Sequence, residues 1–528
     1  MEEVFLYLLW FLSAVLIYNE YCYFWQLKWY RIDRFKDFLS TKQGKSVITN
    51  KYTILRLIIA LILFIWWPIN TTAITYIALC VFIADIVYSA FRKLKGQYRR
   101  PKLSVKAGLI ITGSLILEYL VYAFTRDWSL TLLVSSVRLA ILSCVVIGID
   151  WGTDQIKRIY FKMAEKKLQK YPHIIKIGIT GSYGKTSVKE LLTQMLSQKF
   201  KVVCTPKNTN SDIGISKFIL TTDFSNIDVC IVEMGAYNKG DIKLVCDIVH
   251  PTIGILTAIN PQHLSLFGSI KNIQETKYEL LRAIPKTGLS ITNADNPLCM
   301  EYVKELKSTV QTFGAEAENS PRCLVESIKN QREKLEIHYA INLNDSIKKL
   351  SVDPQLIGEY QAMNIAPCIL VAYHLSMTNE EVVAAVNSLT QPDQSIKIHT
   401  FGKTLIIDDT YNSNPDGFKA ALDILGTFSS EKRKIVITRG MHELGSESKE
   451  LHEKIGNEIS FFADELIIIT PDFAEDIKQG VIEKYHTTVQ DIFETEKLVE
   501  FIESLKHEEA VVLIENRIPD VVRKLYIK

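Results

Sequence analysis

Five apolar runs crowd the start of this chain, at 4–18, 52–67, 72–91, 107–124 and 129–149. Each approaches the roughly 20 residues that an α-helix needs to cross a hydrocarbon layer. Residues 1–151 are therefore expected to form a five-span α-helical transmembrane region. Trp25, Trp29, Trp66, Trp67, Trp128 and Trp151 sit near the ends of the runs, where amphipathic rings favour the headgroup layer. The chain begins Met1-Glu2-Glu3, with no basic start and no small-residue cleavage site before Asn19, so the first span is expected to stay in place.

Cations are distributed unevenly among the connections. Lys28, Arg31, Arg34, Lys36, Lys42, Lys45 and Lys51 lie between the first two runs, and Arg92, Lys93, Lys95, Arg99, Arg100, Lys102 and Lys106 between the third and fourth. The alternate connections, 68–71 and 125–128, carry one cation, Arg126. Cationic loops stay on the cytoplasmic side, which predicts a multi-pass cell-membrane protein with its N-terminus outside and everything after residue 149 inside. Asp85, Glu118 and Arg138 fall within the runs. Charge there is costly unless paired, so helix-to-helix pairing is the expectation. Residues 152–171, with Lys157, Arg158, Lys162, Lys166, Lys167 and Lys170, read as a basic juxtamembrane connector beside anionic headgroups of the lipid bilayer.

Net charge is +2, which makes no case for nucleic acid as a partner. The nine cysteines include no Cys-x-x-Cys pair, so free thiols are expected rather than a zinc site or a disulfide framework.

After Pro172 short β-rich runs alternate with amphipathic helical stretches, the pattern of a wound α/β sheet. Where the first strand gives way to a helix stands Gly178-Ile179-Thr180-Gly181-Ser182-Tyr183-Gly184-Lys185-Thr186-Ser187. Gly181 and Gly184 would let backbone N–H groups of the loop, including those of Ser182 and Ser187, face phosphate oxygens at a helix N-terminus. Lys185 would reach the outer phosphates and Thr186 would bind magnesium. Ile179 occupies the first glycine position of the strict phosphate-loop string. Glu233 closes a buried strand, His263 follows another, Lys277 lies on a helix, and Asn293 and Asp295 follow a further strand. A carboxylate and an imidazole at strand ends are suitable magnesium ligands beside a triphosphate.

These strings, with Asp408-Asp409-Thr410-Tyr411-Asn412-Ser413-Asn414-Pro415-Asp416 and Gly440-Met441-His442-Glu443-Leu444-Gly445 further on, resemble the Mur ligase family, most closely its D-alanyl-D-alanine-adding members. The likeness runs from about Lys176 to the C-terminus. It implies a Mur-ligase-like central ATP-binding domain at 172–393 and a smaller Rossmann-like domain at 394–528. It also implies ATP and magnesium as cofactors. Lys185, His263 and Lys277 would be catalytic, and Thr186, Glu233, His263 and Lys277 would hold metal. Lys277 matches the family lysine that becomes carbamylated. Asn293 and Asp295 match adenine-side positions, and Asp409, Tyr411, Asn412 and Asn414 match the loop that closes over ATP.

The implied reaction is ATP-dependent joining of a carboxylate to an amine through an acyl phosphate, in peptidoglycan or cell-envelope peptide assembly. The donor would be an amino acid or dipeptide. The family's UDP-sugar domain has no counterpart ahead of Lys176, where the spans stand instead, and Tyr360 replaces a usual histidine. Both departures put the usual acceptor in doubt, and the spans suggest a lipid-linked or membrane-delivered one. The competing reading is a degenerate ATP-binding membrane scaffold without turnover, against which intact Lys185, Glu233, His263 and Lys277 argue.

Overall fold

The computed structural model describes every residue except 1, 41–43, 46, 48–50, 67–70, 262–266, 331–333, 344–345, 394, 411–414, 442–443, 445–446 and 528. Two compact units are present, Met1–Ile159 and Tyr160–Lys528.

The first unit is helical: α1 (Glu2–Leu27), α2 (Ile32–Ser40), α3 (Lys51–Trp66), α4 (Thr71–Leu94), α5 (Val105–Thr125), α6 (Trp128–Ser136) and α7 (Arg138–Gln169), the last running on past the unit's end. Among the described residues four helices are long and apolar enough to cross a membrane, in α1, α4, α5 and α7, and α3 contributes a shorter apolar helix. The run at 129–149 is not one helix. The backbone departs from helical geometry at Val137, between α6 and α7. Ser135 and Ser136 both donate their hydroxyls to the carbonyl of Leu132, a local bond that competes with the helical ladder and bends it.

Within this unit the buried charges satisfy one another. Arg138 Nε and Nη2 donate to Glu118 at 2.9 and 2.7 Å. Its Nη1 donates to Ser13 Oγ at 2.7 Å and lies 3.4 Å from Asp85 Oδ2. Arg56, which the sequence reading did not single out, lies 3.2 Å from Asp85. Tyr52 donates to Asp85, and Trp10 and Tyr18 donate to Glu118. Two guanidinium groups and two carboxylates thus cancel, which removes most of the cost of burying them.

The second unit holds two sheets. The nine-stranded sheet has the order β2-β3-β1-β4-β5-β6-β7-β8-β9. Its strands are β1 (Ile175–Thr180), β2 (Val202–Cys204), β3 (Val229–Glu233), β4 (Ile253–Leu256), β5 (Leu289–Asn293), β6 (Thr309–Gly314), β7 (Cys323–Asn330), β8 (Leu335–Leu343) and β9 (Ser346–Val352). Pairings are parallel through β7, and the last two are antiparallel. Alternate side chains enter separate cores: Ile177, Ile179, Val229 and Ile231 on one face, Cys230, Val232 and Leu256 on the other. A sheet buried on both faces needs strands that are apolar along their buried length, as Val229, Cys230, Ile231 and Val232 are in β3. Ile179, at the position of the missing glycine, is fully buried in this core.

The six-stranded sheet has the order β10-β11-β15-β12-β13-β14. Its strands are β10 (Lys397–Phe401), β11 (Thr404–Asp409), β12 (Arg433–Thr438), β13 (Glu465–Ile468), β14 (Thr488–Asp491) and β15 (Ala510–Glu515). Only the β10–β11 pairing is antiparallel. The central parallel strands place Asp409, Thr438 and Glu515 in register at their carboxyl ends, where open α/β sheets bind ligands.

Arg138→Met would leave Glu118 buried without its ion-pair partner and Asp85 with Arg56 alone. It is expected to destabilise the helical unit by about 3–5 kcal/mol, read as a lower thermal midpoint of the detergent-solubilised protein. Arg138→Met with Glu118→Gln should recover part of the loss.

Candidate active site

The chain turns sharply after β1 and enters a helix, α8 (Lys185–Leu196). Gly184 caps that helix at φ 77°, and Gly181 has φ 152°, conformations that L side chains rarely adopt. Space requires glycine as well. A Cβ on Gly181 would run into Thr257 Oγ1, and one on Gly184 would lie 2.9 Å from Asn364 Oδ1. The loop is braced against the end of β4, where Ser182 N donates to the Ala258 carbonyl at 2.7 Å and Asn260 N to Ser182 Oγ at 3.0 Å. The backbone is thereby shaped before any ligand arrives.

Inside the loop Lys185 Nζ donates to the carbonyls of Gly181 at 2.7 Å and Ser182 at 3.1 Å. Loss of solvation lowers its affinity for a proton, and the Glu233 charge partly offsets this. Glu233, at the end of β3, accepts from Thr186 Oγ1 at 3.1 Å and from Asn210 Nδ2 at 3.2 Å. It also faces the buried ammonium of Lys189 at 3.2 Å. Thr186 and Glu233 together offer hydroxyl and carboxylate oxygens, the donor chemistry of a magnesium site.

Lys277 projects from the helix Ile270–Ala283, and lines a cavity of about 60 Å³ with Ser182, Lys185 and Asn210. Burial, followed by the charge of Lys185, pushes its ammonium down to about 7. An amine in that range is substantially neutral near neutral pH.

A second cavity, of about 1060 Å³, lies between the two sheets' domains. Ser182, Gly184, Lys185, Thr186, Ser187, Glu233 and Asn293 line one side, and Asp409, Arg439, Asn516 and Arg517 line the other. Burial raises the proton affinity of Asp409, and the charge of Asp408 adds to the effect. Asn260 Nδ2 reaches across to Asp416 Oδ2 at 2.9 Å, tying the walls together.

The Mur ligase middle domain matches this chain over residues 179–372, and the Mur ligase glutamate ligase domain matches over 394–515. Together they cover more than half of its length. The chain belongs to the Mur ligase family. Over 300 residues it is 30% identical to the UDP-N-acetylmuramoyl-tripeptide–D-alanyl-D-alanine ligase of Synechocystis sp., covering 56% of this chain and 62% of that one. The enzyme of the same name from Bacillus subtilis is 26% identical, with 54% and 60% covered. The chain thus spans less than two thirds of the length of these relatives. Among solved structures, MurF from Thermotoga maritima in complex with ADP superposes with a TM-score of 0.60 at 26% identity, covering 70% of this chain and 81% of that one. MurF from Acinetobacter baumannii superposes at 0.62 and 21% identity, with 70% and 79% covered, a likeness of fold.

Measured against the Mur ligase motifs, the residues read from the sequence fare differently. Lys185, Thr186, Glu233, Asn293 and Asp409 share the larger cavity, and Lys277 lines the smaller one with Lys185. Asp295 instead accepts from the backbone N–H groups of Ala315 and Glu316, and so shapes the turn after β6. His263, Tyr411, Asn412 and Asn414 lie outside the described residues. Sequence reading missed Lys189, although its place one helical turn after Lys185 put it on the same face. It also missed Thr257, Asn516 and Arg517, which follow ordinary strands with no motif around them. Tyr360 is in the larger cavity, and burial holds its hydroxyl protonated.

Gly184→Ala is expected to weaken ATP binding about tenfold or more through the left-handed backbone cost and contact with Asn364, without unfolding the domain. Titration with a fluorescent ATP analogue, beside a thermal melt, checks this.

Proposed function

We propose that this chain is a membrane-anchored, ATP-dependent amide ligase that joins a carboxylate to an amino acid or dipeptide in cell-wall peptide assembly, as the names of its relatives suggest. The observation that carries this reading is the gathering of Lys185, Thr186, Glu233 and Asp409 around one cavity walled by both Mur domains. The ADP bound by the Thermotoga maritima relative supports a nucleotide here.

In this reading the acceptor carboxylate attacks the γ-phosphorus of ATP, and ADP leaves. The amine then attacks the acyl carbon of the resulting acyl phosphate, and inorganic phosphate leaves with the tetrahedral intermediate's collapse. Phosphoryl transfer depends mainly on positioning and charge neutralisation. The loop amides and the Gly184-capped helix would hold the phosphates, and Lys185 would move from the Gly181 and Ser182 carbonyls to the phosphoryl oxygens. Magnesium held by Thr186 and Glu233, with His263 and Lys277, would supply further positive charge. An amine is a poor magnesium ligand, whereas a carbamate on Lys277 would present oxygen. The lowered proton affinity of Lys277 favours that modification, because carbon dioxide adds to the neutral amine. The paired walls of the cavity would keep water from the acyl phosphate.

The helical unit supports the membrane part of the proposal. Leu8, Phe11, Leu109, Ile116 and Leu117 stay exposed on long apolar helices, an arrangement suited to hydrocarbon. The cationic connections favour the N-terminus outside and the Mur domains in the cytoplasm. Since spans stand ahead of the region that matches the family, a lipid-linked acceptor is favoured. Equal ligation of soluble UDP-linked and lipid-linked peptides would overturn that choice.

Amine- and acceptor-dependent release of ADP and phosphate is expected from the purified full chain. Lys185→Ala should lower it about 100-fold or more. ATP binding by the wild type with no release of ADP and phosphate, whichever substrates are added, would favour the scaffold reading. Depleting dissolved carbon dioxide is expected to lower kcat, and bicarbonate to restore it. Lys277→Met should be inactive and indifferent to bicarbonate.

A further inference from the structure

We propose that Arg439 holds the free carboxylate of the incoming amine, so that the enzyme selects amino acids or peptides with a free C-terminus over their amides. This specificity rests on the ligation reading above and concerns the same cavity.

Arg439 directly follows β12, at the carboxyl end of the sheet and beside β15, whose Glu515 registers with Thr438. The backbone carrying it is clamped on both sides. Gly440 N donates to Thr438 Oγ1 at 3.0 Å, and the Gly440 carbonyl accepts from Asn516 Nδ2 at 2.6 Å. Met441 N donates to His452 Nε2 at 2.9 Å, while His452 Nδ1 lies 2.6 Å from the Ser448 carbonyl. Both bonds require a neutral ring with its proton on Nδ1. His452 is fully buried and stacks on Phe473. Gly440 has φ 74°, and a Cβ there would lie 2.9 Å from His452 Nε2. These bonds fix the backbone that carries Arg439, one part of the preorganisation that a binding residue needs.

The guanidinium lines the large cavity, and among the described residues its buried Nε has no hydrogen-bond partner. A buried unmatched donor is costly, and among the described residues no acceptor of the protein competes for that edge of the guanidinium. The fork of a guanidinium suits a carboxylate or a phosphate. The phosphates already have the loop amides and Lys185 on the central-domain wall. The amine must reach the acyl carbon while the phosphates remain there, so its carboxylate is best anchored from the opposite wall. Lys419, Arg517, Asp416 and Asp423 line that wall too, presenting both signs of charge to a zwitterion.

The test uses the full chain in detergent and a panel of amino acids and dipeptides, each as free acid and as C-terminal amide. Steady-state ligation gives KM for each. Equilibrium titration with a non-hydrolysable ATP analogue and magnesium present gives binding without turnover. The wild type should favour its best free acid over the matching amide about 10- to 100-fold. Arg439→Met should erase that preference while leaving the amide's affinity and the KM for ATP unchanged, and Arg439→Lys should keep part of it. Equal weakening of acid and amide, a rise in the KM for ATP alone, or no preference in the wild type would overturn the proposal. So would a panel from which the wild type binds nothing. Acid-selective binding without turnover would uphold the carboxylate site and sink the ligation reading instead.

Discussion

An excess of positive charge around Glu233 organises the phosphate-loop domain of this molecule. Lys189 pairs with that carboxylate, and Thr186 and Asn210 donate to it. Lys185 is left among backbone carbonyls, and Lys277 lines a small cavity with it. Burial first, and then the charge of Lys185, make the proton of Lys277 harder to keep. A polyphosphate would relieve this strain more fully than water, because loop, helix end and ammonium would act on it together. The glycines at 181 and 184 serve that end by letting the backbone turn where no side chain fits.

The helical unit solves the opposite problem. There the two cations of Arg56 and Arg138 meet the two carboxylates of Asp85 and Glu118, so the charges balance. A balanced set of buried charges, with Ser13 and Tyr52 donating to Asp85 and Trp10 and Tyr18 to Glu118, holds helices that apolar contact alone would leave free to slide. Balance suits a scaffold and imbalance suits a site that awaits an anion, which is how the two regions divide their labour.

Much of this was legible in the chain. The phosphate loop could be read because strand, glycines and Lys185 are local. Glu233 and Asn293 could be read because each closes a strand. The two sheets followed from apolar runs of strand length. Other features were hidden because they depend on neighbours distant in sequence. The break at Val137 arises from two serines bonding back to one carbonyl, inside a run that looks uniform. Asp295 carries a motif residue's identity, yet the turn after β6 takes up its oxygens. Arg56 looked like part of an ordinary run until Asp85 was placed opposite it.

By itself, the sequence determined the helical start, the wound α/β remainder and the phosphate loop, since these depend on hydropathy, periodicity and a few adjacent residues. Only the tertiary structure decided which charges meet: Lys189 with Glu233, Lys277 with Lys185, Arg138 with Glu118, and Arg439 with the cavity. Local propensity acts over a few residues, whereas the energy of a buried charge depends on whatever the fold brings within a few ångströms of it.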